Sequence, residues 1–183
     1  MDGESSYRRF LDGDDSGIIP IIRDYKDGLV IYINSFTLNT AISEELMEEV
    51  FVKLVIKKPS FRGESSFKTW LYSVARNTAL DYLRDAKNHE VLSLDESYAI
   101  ECSEDIEREY LRSEQRIMLK KAMERLKSEY YQVLCLVYFE NFKNREVAKI
   151  MKKSRRQIEN LIYRAKGALR KELEKEGFIY EEL

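Results

Sequence analysis

The chain has 183 residues, 44% hydrophobic and 35% charged, with 7 Gly, 2 Pro and a formal net charge of −2. That length suits one or two compact domains, and so few turn residues argue against sandwiches and barrels and for an all-α protein. No apolar run approaches the roughly 18 residues of a membrane span, the N-terminal stretch MDGESSYRRFLDGDDSG is too polar for a secretory signal, and Cys102, Cys135 and the single His89 make no metal-ligand pattern. The composition therefore reads as a cytoplasmic, reduced chain with no metal and no cofactor.

The near-neutral total hides a strong asymmetry. Residues 1–60 carry a net −4, residues 91–115 a net −6 and residues 116–175 a net +10. An acidic front, an acidic middle and a basic back suggest that the two ends meet different partners.

In chain order, Ile22, Tyr25, Leu29, Ile33 and Phe36 share one face and predict a helix over 21–37. Residues 43–57, SEELMEEVFVKLVIK, open on Ser43 as a plain N-cap and carry a Leu46, Val50, Leu54 stripe opposite Glu44, Glu45, Glu48 and Glu49. Pro59 and Gly63 then break the helix and make a loop. From Ser66 a long helix follows, with Phe67, Leu71, Val74 and Thr78 in one stripe and Trp70, Ala75 and Tyr82 beside it. Residues 88–113 are acidic and aperiodic, and read as a linker with a short helix near 104–113. Met118, Ala122 and Leu126 pack one further helix, and Tyr130, Val133, Leu134, Val137 and Tyr138 the next.

Residues 141–171 hold eleven Lys and Arg against two Glu. Val147, Ala148 and Met151 form one short apolar face. Ile158, Leu161, Ile162, Ala165 and Leu169 form a second at helical spacing, with Ser154 between them as the N-cap. Two short helices about a tight turn, the second opening on Arg155, Arg156 and Gln157 and keeping Glu159, Asn160, Tyr163 and Arg164 outside, make a helix-turn-helix. The major groove admits such a helix, and these side chains match base edges there.

A second constellation lies at 59–87: Phe61, Arg62, Phe67, Lys68, Trp70, Tyr72, Arg76, Asn77, Tyr82, Arg84 and Lys87. Aromatic faces stack unpaired bases while nearby cations hold phosphates, and a loop closing over a helix can pocket a flipped base. The aromatics also suit a core. Trp70 is assigned there, and Phe61, beside Arg62 and Gly63, is the aromatic expected to be exposed. One duplex-reading helix and one single-strand surface fit a protein that both locates and opens DNA.

At these residues the chain resembles a bacterial RNA polymerase sigma factor of the sigma-70 family, in the extracytoplasmic-function (ECF) group. SEELMEEVFVKL resembles the region 2 helix that docks on the polymerase. SFRGESSFKTWLYSVARNTALDYLR resembles the segment that recognises and melts the −10 element. LKSEYYQVLCLVYFENFKNREVAKIMKKSRRQIENLIYRAKGAL resembles region 4, which reads the −35 element.

The resemblance implies two small helical domains, a region 2-like bundle at 15–90 and a region 4-like helix-turn-helix domain at 114–175, joined by an acidic linker at 91–113. It implies contacts from Glu45, Glu48, Glu49 and Lys53 to the β′ clamp helices of core RNA polymerase, with the β flap as a further contact of the polymerase. It places −10 recognition on Ser60, Phe61, Arg62 and Asn77, with Lys68, Arg76 and Arg84 on phosphates. It places −35 recognition on Arg155, Arg156, Gln157, Glu159, Asn160, Tyr163 and Arg164. Lys152 stands in the turn where relatives often have Gly, and Glu159 stands where they often have a basic residue. An anti-sigma factor is a further implied partner, and no membrane insertion is implied. The linker is expected to be either a solvated tether or an occupant of the polymerase RNA exit path.

The principal alternative is a helix-turn-helix regulator that binds duplex DNA without polymerase. An enzyme is not indicated: no Ser-His-Asp set, glycine-rich phosphate loop or metal cluster appears.

Overall fold

A computed structural model describes residues 3–89 and 106–176, with side chains described at 3–87 and 115–176. Cys102 and residues 90–105 of the acidic linker lie outside the described residues. The helices are α1 (Gly3–Leu11), α2 (Ile18–Thr37), α3 (Thr40–Lys57), α4 (Phe67–His89), α5 (Ile106–Glu124), α6 (Ser128–Leu134), α7 (Asn144–Met151) and α8 (Arg155–Lys175), and no strand occurs among the described residues. The all-α expectation holds.

Three boundaries differ from those expected from the sequence. α1 was not anticipated in so polar a stretch; its Tyr7 and Phe10, three apart, are 0% and 2% exposed and carry the helix into the core. α3 begins at Thr40 rather than Ser43. Asn39 caps it, accepting from the Ile42 amide at 3.1 Å, while Ser43 is buried and donates back to the Asn39 carbonyl at 2.6 Å. α5 runs unbroken from Ile106 to Glu124, so the short helix expected near 104–113 and the helix expected after it are one element.

α1 anchors the loop between α3 and α4. The Tyr7 hydroxyl donates to the Pro59 carbonyl at 2.8 Å, tying the N-terminal helix to the start of that loop. The Tyr7 ring lies 5.4 Å from both Phe67 and Trp70, and Phe61 meets Phe67 edge-on at 5.7 Å. The loop is thus clamped at its start by a hydrogen bond and in its middle by an aromatic cluster.

The second half forms around α6, whose last turn, Cys135–Phe139, widens into π-helical winding: the Glu140 amide donates five residues back to the Cys135 carbonyl at 3.0 Å. Asn141 comes next at φ 56°, a left-handed conformation that asparagine tolerates, and turns the chain into α7. The core does not stop between the halves. Leu29, Tyr32, Leu71, Tyr72, Ala75 and Ala79 of the first half and Leu136, Phe142, Val147 and Ile150 of the second belong to one continuous buried cluster, with α4 lying along α7.

Burial pushes the hydroxyls of Tyr7 and Tyr131 and the Cys135 thiol each up to about 12, and those of Tyr32 and Tyr72 in the same direction. These folded values lie above the unfolded ones, about 8.5 for Cys and 10 for Tyr. The stabilisation is therefore complete below about pH 8.5 and is lost as pH rises from there toward 12. The urea midpoint should be flat from neutrality to that point and then fall steadily. Tyr7→Phe, which keeps the ring and removes the bond to Pro59, should cost about 1 kcal/mol, and Tyr7→Ala about 3–5 kcal/mol, in the same urea experiment at neutral pH.

Candidate nucleic-acid interface

α8 is built to display a polar face. Ser154, the expected cap, accepts from the Gln157 amide at 3.2 Å, and the Gln157 side chain accepts from the Ser154 amide at 2.7 Å, a reciprocal capping box. Ile158 and Ala165 are fully buried against α6 and α7, and Leu161 and Ile162 are half-buried. That packing leaves Arg155, Arg156, Gln157, Glu159, Asn160, Tyr163 and Arg164 outside, with Tyr163 81% exposed.

Three of these side chains are engaged within the helix. The Gln157 carbonyl oxygen serves the cap, so its amide NH₂ is what remains to face a ligand. Arg155 Nε donates to Glu159 Oε1 at 2.9 Å, so this carboxylate and guanidinium present themselves as a pair. Lys152 adopts φ 53°, ψ 46°, the left-handed end of α7, at the turn position where glycine has no steric cost.

The second constellation gathers around the N-terminal half of α4 and the loop before it. Ser60 and Arg62 are exposed, while Phe61 is half-buried on Phe67 and Trp70 rather than free. Lys68 Nζ pairs with Glu140 Oε2 at 2.9 Å and donates to the Glu140 carbonyl at 2.8 Å. Asn77 is exposed and its Oδ1 accepts from Lys152 Nζ at 3.3 Å. Arg76 Nε is buried with no hydrogen-bond partner. Arg84 pairs with Asp81 at 3.0 Å on the surface, a contact of little energetic weight.

On α3, Glu45, Glu48 and Glu49 are exposed, and Lys53 bridges Glu49 at 2.7 Å and the Thr78 hydroxyl at 3.0 Å. Sequence reasoning missed the apolar continuation of this stripe. Val52 and Ile56 stand 51% and 74% exposed at the helical spacing that follows Glu45 and Glu49. Their signal was present, since they fall off the Leu46, Val50, Leu54 core stripe. Among the described residues no helix is long and apolar enough to cross a membrane, and no three His, Cys, Asp or Glu side chains gather as a metal site.

Two family models match in order: sigma-70 region 2 over residues 21–89 and sigma-70 region 4 over residues 116–169, together about two thirds of the chain. The chain belongs to the sigma-70 family, in its ECF group. Among relatives of this sigma-70 chain, RNA polymerase sigma factor YlaC of Bacillus subtilis (strain 168) is 26% identical over 157 residues, covering 85% of this chain and 91% of that protein. The ECF RNA polymerase sigma-E factor of Escherichia coli (strain K12) is 28% identical over 134 residues, 68% of this chain and 70% of its own. The fold of this sigma-70 chain is shared with CnrH, solved in complex with the cytosolic domain of CnrY (TM-score 0.65, 16% identity, 94% of this chain and 95% of that one). It is shared also with RpoE from Bartonella quintana, solved with the anti-sigma factor NepR (TM-score 0.67, 20% identity, 86% and 96%).

Loss of the cap should loosen the start of α8 first. Ser154→Ala is expected to cost about 1 kcal/mol in urea unfolding and to speed hydrogen exchange at the Gln157 amide, whereas Ser154→Asp should hold both near wild type.

Proposed function

We propose that this protein is an alternative sigma factor that binds core RNA polymerase and directs promoter-specific transcription initiation at paired −35 and −10 elements. The observation that carries the reading is the order of region 2 and region 4 on one chain, with the helix-turn-helix face of α8 left exposed and polar.

In this reading residues 15–90 dock on polymerase and open the −10 element, residues 114–175 read the −35 element, and residues 91–113 tether them. The α3 stripe of Glu45, Glu48, Glu49 and Lys53 meets the β′ clamp helices, and the exposed Val52 and Ile56 extend that stripe with apolar area. The second domain sits on the β flap. Ser60, Phe61, Arg62 and Asn77 hold the −10 strand, with Lys68, Arg76 and Arg84 on its phosphates. Arg155, Arg156, Gln157, Glu159, Asn160, Tyr163 and Arg164 face the −35 groove. The factor performs no covalent chemistry: it lends the polymerase sequence discrimination and offsets part of the cost of unstacking. It works in the cytoplasm and, as RpoE from Bartonella quintana is seen with the anti-sigma factor NepR, is held by an anti-sigma factor.

The test is run-off transcription with purified bacterial core polymerase on a library of promoter fragments. Initiation at discrete sites only in the presence of the protein is expected. Tight duplex binding without polymerase and no initiation would instead be a regulator's behaviour and would sink the reading.

The paired carboxylate on α8 gives a sharper expectation. Glu159 accepts from a cytosine N4 amine, with Arg155 orienting it, and a good base contact of this kind discriminates by about 1–3 kcal/mol. Glu159→Arg should change the enriched −35 sequence at one position and leave the −10 preference alone; identical libraries from both proteins would refute the assignment.

A further inference from the structure

α1 lies outside the region 2 match, which begins at residue 21, and the proposed function gives it no work. Yet it is docked with little freedom. A Cβ at Gly17 would strike the Ser6 carbonyl and the Phe10 amide, and one at Gly3 would strike the Phe67 ring and the Tyr25 hydroxyl. Each glycine marks a place where the backbone comes too close for a side chain.

What α1 holds is the loop before α4. α3 ends at Lys58 in a left-handed conformation, φ 42°, and the Lys58 ammonium sits 4.6 Å from the centre of the Phe10 ring. The next residue, Pro59, gives its carbonyl to the Tyr7 hydroxyl at 2.8 Å. Two successive loop residues therefore rest on two α1 residues one turn apart. Phe61 then packs inward, 5.7 Å from Phe67 and 5.5 Å from Trp70, the same two rings that Tyr7 meets at 5.4 Å. Among the described residues, 60–63 make no hydrogen bond of their own, so these anchors are what fixes the loop. Ser60 and Arg62, on either side of Phe61, are exposed.

We propose that Tyr7 is a positioning residue for −10 recognition: its hydroxyl holds Pro59 and its ring completes the aromatic floor under Phe61, so that Ser60 and Arg62 meet the strand already ordered. This rests on the reading of Ser60 and Arg62 as −10 contacts.

An ordered loop meets its cognate base without the entropy cost of arranging itself at that moment. A loosened loop still reaches phosphates, which carry no sequence information, but loses the base contacts, which need close geometry. Tyr7 thus bears on discrimination among −10 sequences and not on affinity for DNA at large.

Tyr7→Phe keeps the ring and deletes the one hydrogen bond. Run-off transcription with core polymerase is compared on the promoter that the library enriches and on one carrying a single −10 substitution; a second pair differs at one −35 position. Tyr7→Phe should reduce −10 discrimination about fivefold, the worth of one hydrogen bond, and leave −35 discrimination as in wild type. In a chain that already carries Ser60→Ala and Arg62→Ala, the same change should do nothing further to −10 discrimination, because the side chains it positions are gone. Unchanged −10 discrimination, an equal fall at both elements, or an effect that persists in the Ser60, Arg62 variant would each overturn the proposal. Trp70, the only tryptophan, gives a readout without polymerase. Loosening of the loop should raise acrylamide quenching of its emission in Tyr7→Phe, and quenching equal to wild type would likewise overturn the proposal. Should Ser60→Ala with Arg62→Ala leave −10 discrimination intact, the reading of these residues as strand contacts fails and the inference with it. Should that variant lose discrimination while Tyr7→Phe does not, this inference alone fails. If no promoter initiates, the sigma-factor reading is what has failed, and the quenching difference then decides whether Tyr7 sets the loop.

Discussion

One half-buried carboxylate organises the relation between the two halves of this molecule. Glu140 lies at the meeting of α2, α4 and the turn after α6, and its ion pair with Lys68 is roofed by Phe142. The pair is half-buried, its Lys68 side chain 34% and its Glu140 side chain 12% exposed, and it adds little net stability, because partial desolvation and solvent screening offset most of the attraction. The pair therefore sets where the halves meet more than how firmly they are held. Its placement depends on two backbone features, the wide winding of Cys135–Phe139 that advances the chain before Glu140 and the left-handed Asn141 that reverses it.

Firmness comes from elsewhere. Leu29, Ile33, Leu54, Leu71 and Ala79 in the first half and Leu136, Val147, Ile150, Ile158 and Ala165 in the second are fully buried, and at roughly 25 cal/mol per Å² such burial dominates the favourable side of folding. Across the two halves Tyr72 packs edge-on against Phe142 at 5.0 Å, beside the Lys68–Glu140 pair.

The elements were legible wherever periodicity and punctuation agreed. α8 announced itself by Ser154, by the stripe from Ile158 to Leu169 and by the exposed polar set between them, because all of these are local to one helix. α1 was hidden because Arg8 and Arg9 beside Asp12, Asp14 and Asp15 outweigh Tyr7 and Phe10 in any window average, although those two rings alone decide where the helix goes. Ser43 looked like a cap because it precedes a run of acids; Asn39, four residues earlier, wins because its side chain caps the Ile42 amide while Thr40, Ala41 and Ile42 extend the helix at small cost. Gln157 read as a base contact, although Ser154 and Gln157 stand at the Ser-x-x-Gln spacing of a capping box, a local signal the sequence did carry. The contacts of Glu140, Glu146 and Lys152 with α4 were beyond reach: each joins residues more than seventy positions apart, and a charged side chain gives no sign in sequence of whether it faces solvent or a distant helix.

Those long-range contacts also tie the two halves through polar groups that depend on few partners. Removing Glu140 or Glu146 leaves Lys68, or Ser66 and Thr69, facing no carboxylate. The net worth of such contacts is a small remainder of large cancelling terms. The exposed Glu45, Glu48, Val52 and Ile56 stripe of α3 takes no part in them. Lys152 fits the same logic. Held in a left-handed turn where glycine would sit without strain, it carries an ammonium to Asn77 that glycine could not supply, and the local cost at the turn is offset only while the halves are together.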